Sequence, residues 1–72
     1  MRDFTLFVQD ERYSVPTVVF VTLADALGAA QLARTRLEES AYHLAIDLHE
    51  GEDHLARVDR EGVIWLRAPP EQ

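Results

Sequence analysis

The sequence predicts an α+β domain in which an antiparallel sheet of four to five strands carries one helix on one face. Three observations lead there. Apolar and polar residues alternate through FTLFVQD at 4–10 and YHLAIDLHE at 42–50, which is the period of a strand. A single stretch, Leu23 to Glu39, repeats its apolar residues at helical spacing. Turn-forming runs, DERYS at 10–14, EGED at 50–53 and DREG at 59–62, divide the remaining apolar segments into short strands.

The first strand, 4–10, places Phe4, Leu6 and Val8 on one side and Thr5, Phe7 and Gln9 on the other, so Phe7 is apolar where its neighbours are polar. The second, SVPTVVFVT at 14–22, is apolar on both faces: Val15, Val19 and Val21 on one, Val18 and Phe20 on the other. Pro16 falls inside it. Proline cannot donate to a ladder, which argues for an edge position. Thr22 then reads as a helix N-cap with Asp25 three residues on, a capping box with a shortened acid. Along the helix, Leu23, Ala26, Leu27, Ala30, Ala33 and Leu37 form the apolar stripe, with Asp25, Thr35, Arg36 and Glu39 opposite and Leu32 on the outer side. In the third strand Tyr42, Leu44, Ile46 and Leu48 point inward, and His43, Ala45, Asp47 and His49 outward. HLARVDR makes a fourth strand and VIWLRA a fifth, stopped by Pro69 and Pro70. A right-handed crossover through the helix gives the sheet order 2-1-3-4, with strand 5 beside strand 4.

At 72 residues the chain is one domain, with 3–67 as its ordered core and 68–72 as a frayed tail. A chain of this size hides only about 60% of its unfolded surface. It has no cysteine, so disulfides and cysteine-bound zinc are excluded as stabilisers. Oligomerisation is the stabiliser that remains. Thirteen acids against seven basic residues give a net charge of -6, which repels phosphate backbones and argues against nucleic acid as a ligand. Every basic residue is arginine, and there is neither lysine nor asparagine, a bias that suits a GC-rich bacterial genome. MRDFTLFVQD lacks the charged-then-apolar layout of a signal peptide, and no apolar run is long enough to span a membrane. The expectation is a cytoplasmic protein without membrane contact.

One helix can cover one face of the sheet. The other face keeps Phe7, Val18 and Phe20 next to one another. The expected solution is a homodimer through these residues, with Pro16 at the open edge, packed either face to face or by strand pairing. The alternative is a fifth strand that folds back and lays Ile64, Trp65 and Leu66 over the patch. The interface candidates are therefore Phe7, Pro16, Val18, Phe20 and Trp65, with the acidic remainder of the surface open to a further protein partner.

Signals for chemistry are thin. Asp47 and His49 lie two apart, and His54 falls opposite His49 across a short turn, which allows one carboxylate and two imidazoles to approach a metal ion. Solvated polar side chains are the expected reading, with metal binding as the alternative. Ser14 and Ser40 sit in turn contexts, no G-x-S-x-G is present, and Gly28, Gly51 and Gly62 are isolated, so neither a nucleophile nor a phosphate loop is found. The sequence points to a non-enzyme without a cofactor.

DFTLFVQD, YSVPTVVFVT, LADALGAAQLARTRLEES, HLAIDLHE and ARVDREG together resemble small bacterial β-β-α-β-β domains of unknown function, a likeness that covers most of residues 3 to 66. It implies the fold and no activity. TLADAL at 22–27 is also similar to the T-L-x-x-A-L helix start of HicB-type antitoxin folds, although the glycine-cysteine pair before that helix is missing. That similarity implies a protein that neutralises a partner.

Overall fold

The computed structural model describes residues 1–67. The expected tail, with Ala68, Pro69 and Pro70, lies outside the described residues. The elements follow as β1 (Arg2–Asp10), β2 (Thr17–Leu23), α1 (Ala26–Glu38), β3 (His43–Glu50), β4 (Asp53–Asp59) and β5 (Gly62–Trp65). They form a five-stranded sheet in the order β2-β1-β3-β4-β5, each neighbour antiparallel, with α1 on one face, as the sequence predicts. Among the described residues no helix is long and apolar enough to cross a membrane.

Alternation in β1 sends Phe4, Leu6 and Val8 beneath the helix, where they meet Ile46 and Leu48 of β3 and Ala56 and Val58 of β4, all buried. The helix contributes Ala26, Ala29, Ala30, Ala33 and Leu37 to this core. Four of those five are alanine, so the backbone of α1 can lie close to the sheet and the core is filled from the strand side. Val19, Val21 and Leu23 on β2, and Val63 and Trp65 on β5, pack against its margins and are only partly buried. Arg2 and Glu50 join the start of β1 to the end of β3 through a two-pronged ion pair, with nitrogen–oxygen distances of 2.8 and 2.6 Å. Gly51 supplies a φ of 60° in the two-residue turn between Glu50 and Asp53, a conformation that side-chain-bearing residues adopt reluctantly.

Several local expectations are corrected. Helix α1 starts at Ala26 and not at Leu23, because Thr22 and Leu23 are still paired with Asp3 and Arg2 in the β1–β2 ladder. Asp25 is itself the N-cap: its backbone is extended and its Oδ1 accepts a hydrogen bond from the Gly28 N–H at 2.7 Å. Thr22 donates instead to Asp3 Oδ1 across the sheet at 2.7 Å. The buried stripe is also displaced from the expected one: it takes in Ala29 and leaves Leu27 exposed. Pro16 lies just before β2, not within it, where its missing N–H costs the ladder nothing.

In β3 the strict alternation fails at its first residues. Gln9 opposes Ala45 but Asp10 opposes His43, so Leu44 is an extra, unopposed residue in a β-bulge. His43 therefore turns to the helix side, while Leu44 and Tyr42, both expected inward, are exposed. At the far end β5 continues the sheet beside β4, and Trp65 packs against the core on the helix side. It does not fold back over the outer face, so Trp65 is withdrawn from the outer-face patch.

Candidate functional site

The face away from α1 can be read from the register. One row across it runs Phe20, Thr5, His49, His54 over β2, β1, β3 and β4; the next runs Val18, Phe7, Asp47, Arg57, Ile64 and reaches β5. The face is apolar at the β2 side, polar over β3 and β4, and apolar again at Ile64.

Phe20 is 78% exposed and Val18 44%, side by side on β2. Phe7 is half-buried, because the ring of His49 stands against it edge-on, with centroids 4.9 Å apart at 79°. Of the three aromatic and branched residues expected to form the patch, Phe20 and Val18 are open and Phe7 is already sheltered. Within β2 itself, residues 17–23, no side chain carries a charge.

The polar part of the face is a connected cluster. A β-bulge between Leu48 and His49, in which Leu55 is the extra residue, brings His54 opposite His49 and turns Leu55 into the core. The two imidazoles stack with centroids 4.3 Å apart and planes 2° from parallel. Asp47, 14% exposed at its side chain, faces both His54 Nε2 and Arg57 Nη1 from its Oδ1, each at 3.2 Å. A carboxylate has no proton to offer, so the His54 Nε2 carries the hydrogen. Burial pushes the His49 pKa below its usual 6.5, and the neighbouring His54 lowers it further, against a smaller opposing pull from Asp47.

The metal candidates Asp47, His49 and His54 are thus brought together, as their spacing suggested, but in a form that suits packing. Two parallel rings present faces to each other, so their nitrogens do not converge on a common point, and Asp47 is occupied by His54 and Arg57. Among the described residues no group of three or more histidine, aspartate or glutamate side chains is arranged to hold a metal ion. Arg57 was missed in the sequence reading, although the same alternation that sets Asp47 outward sets Arg57 outward opposite it.

A second polar cluster, also missed, closes the end of the sheet. Asp10 is buried, and its carboxylate accepts from the Arg12 backbone N–H at 2.9 Å and from the guanidinium at 3.0 and 2.7 Å. Those hydrogen bonds, opposed by desolvation, hold its carboxyl down from 3.8 to about 2. Arg12 also lies over the rings of Tyr13 and Tyr42, at 5.3 and 4.6 Å. On the other side His43 Nδ1 donates to the Arg36 carbonyl at 2.8 Å and ties the end of α1 to β3. These groups satisfy one another and act as a latch. A cavity of about 80 Å³ between α1 and the β4–β5 turn, lined by Arg34, Leu37, Glu38, Asp59 and Arg60, is far smaller than the roughly 300 Å³ at which substrate pockets begin.

Comparison with protein-family models, with curated proteins and with solved structures found no match.

Proposed function

We propose that this protein is a non-catalytic binding module that associates with a second copy of itself through the apolar side of its helix-free face. The observation that carries the reading is Phe20, 78% exposed beside Val18 on a strand without a charged side chain. Large apolar side chains that stand together in the open mark interaction surfaces more often than isolated ones do. Full burial of Phe20 contributes up to about 1.5–3 kcal/mol before association costs and that of Val18, only 44% exposed, about half as much, and each copy supplies both. For a domain without disulfides, that gain is large against an expected total stability of about 5–15 kcal/mol.

Catalysis has less to draw on. The ionisable groups of the face are engaged with one another, and the clefts at the β4–β5 turn are lined by none of them. The polar middle of the face, Asp47, Arg57 and His54, is held together by its own contacts and leaves the apolar β2 side as the part open to a partner. Light scattering after size exclusion, from low to high micromolar concentration, tests the reading. A dimer is expected, and Phe20→Glu should return it to monomer with its circular dichroism unchanged. A wild-type chain that remains monomeric throughout overturns the proposal.

A further inference from the structure

We propose that the second copy joins by strand pairing, with two β2 strands lying antiparallel about a twofold axis at Phe20, so that the two sheets merge into one. This rests on the self-association reading above and specifies its geometry.

Three observations favour an added strand over a stacked sheet. First, β2 is open on both sides. Phe20 and Val18 are exposed on the outer face, while Val19, Val21 and Leu23 on the helix face are only partly buried. A sheet stacked on the outer face covers the first set and leaves the second as it was. A strand added at the edge lies against both.

Second, the strand is nearly palindromic about Phe20. In TVVFVTL a twofold axis at the central residue sets Phe20 opposite Phe20, Val19 opposite Val21, Val18 opposite Thr22 and Thr17 opposite Leu23. Every pair is uncharged, and most are β-branched or aromatic, the pairs that stabilise antiparallel ladders. The same surface is used by both partners, as a twofold interface requires.

Third, β2 has none of the usual devices that protect a free edge. Its seven residues contain no charge and no proline, and its register with β1 runs from Arg2 to Val8 without a bulge. The opposite edge, β5, is only four residues long. Pro16 comes immediately before β2 and so limits the ladder at that end without interrupting it.

The absence of cysteine from the chain makes a cross-linking test clean. Opposed residues in an antiparallel pair have Cα atoms about 4.5–5.5 Å apart, inside the range of about 4.4–6.8 Å that a disulfide spans. Stacked sheets lie about 10 Å apart. Phe20→Cys under mild oxidation is therefore expected to form a covalent dimer, whereas Leu44→Cys, also exposed but far from β2, stays monomeric on a reducing-agent-free gel. Because Phe20→Cys removes apolar surface, a second pair keeps that ring: Val18→Cys mixed with Thr22→Cys should cross-link, and neither should do so alone. If the wild-type chain is dimeric but neither Phe20→Cys nor the mixture links faster than Leu44→Cys, edge pairing is overturned and self-association stands. A monomeric wild-type chain removes both.

Discussion

Asp25 and Gly28 form the joint on which the only helix of the described chain turns, and changing them together gives a quantitative check on how that helix starts. The Asp25 Oδ1 accepts from the Gly28 N–H at 2.7 Å, and a Cβ built on Gly28 would lie 3.2 Å from the same oxygen. Asp25→Ala removes the cap and is expected to cost about 0.5–2 kcal/mol. Because α1 covers the whole buried face of the sheet, the loss should appear in global unfolding, as a fall in Tm of about 4–8 °C per kcal/mol for a domain of this size. Gly28→Ala alone would ordinarily gain about 0.8–1.0 kcal/mol of helix propensity. Here the new methyl group pushes the carboxylate a few tenths of an ångström and lengthens the cap bond, so the gain should be smaller in the wild-type background than in Asp25→Ala. Urea and thermal melts followed by circular dichroism, at matched protein concentrations because association shifts apparent stability, give all four corners of the cycle. Additivity within about 0.3–0.5 kcal/mol would refute the coupling. A larger loss in Thr22→Ala than in Asp25→Ala would refute the cap assignment, since the exposed Thr22 bond to Asp3 should be worth less than about 0.5 kcal/mol.

Other positions respond in ways the packing sets. Ala33 is fully buried on the alanine stripe, so Ala33→Leu should overfill the helix–sheet seam and lower stability by about 1–3 kcal/mol in urea melts; an unchanged midpoint would mean the seam has room. His49 has a folded pKa below 6.5, so the unfolded chain binds the proton more readily. Its contribution is present above 6.5 and is lost as pH falls through 6.5 toward the lower folded value. His49→Gln should flatten that part of a stability-against-pH curve, and an unaltered slope would assign it to other groups. Asp10, held near 2 mainly by the Arg12 side chain, contributes stability that is present above its unfolded value of 3.8 and disappears as pH drops from there through about 2. In Asp10→Asn that segment of the acid-unfolding profile should vanish, and a wild-type profile would dismiss the latch.

The strands were legible because their pattern and their environment agree. Phe4, Leu6 and Val8 alternate without interruption and are buried together, and the order of the sheet follows from the crossover and the short turns. Reading the helix start failed for a specific reason: T-L-A-D and D-A-L-G both satisfy the rules for an N-terminus, and only the cross-strand partner of Thr22, which is Asp3, decides between them. The centre of the stripe was also misplaced: the sheet contacts the side that carries Ala29, and Leu27 on the other margin is exposed. The patch was only partly legible. Phe20 and Val18 follow from alternation, but the shelter that His49 gives Phe7 depends on a ring orientation that no spacing encodes.

Both bulges fall on the β3 ladders, and together they explain what the alternation could not give. At Leu44 the extra residue turns His43 under the end of α1, where it donates to Arg36, and leaves Leu44 in the open. At Leu55 the extra residue enters the core and lets His54 slide back to stack on His49. A bulge also strengthens the local twist of a sheet. These two lie on either side of the central strand β3, while the outer ladders, β1–β2 and the shorter β4–β5, have none along their length. The bulges and the stacked histidine cluster thus lie along β3 and β4, and β2 is left regular and uncharged at the margin. A regular, uncharged margin is what an incoming antiparallel strand needs, since it must match hydrogen-bond spacing over several residues without burying a charge. The irregularity in the middle of the sheet and the capacity for pairing at its edge are thus two consequences of the same distribution of residues.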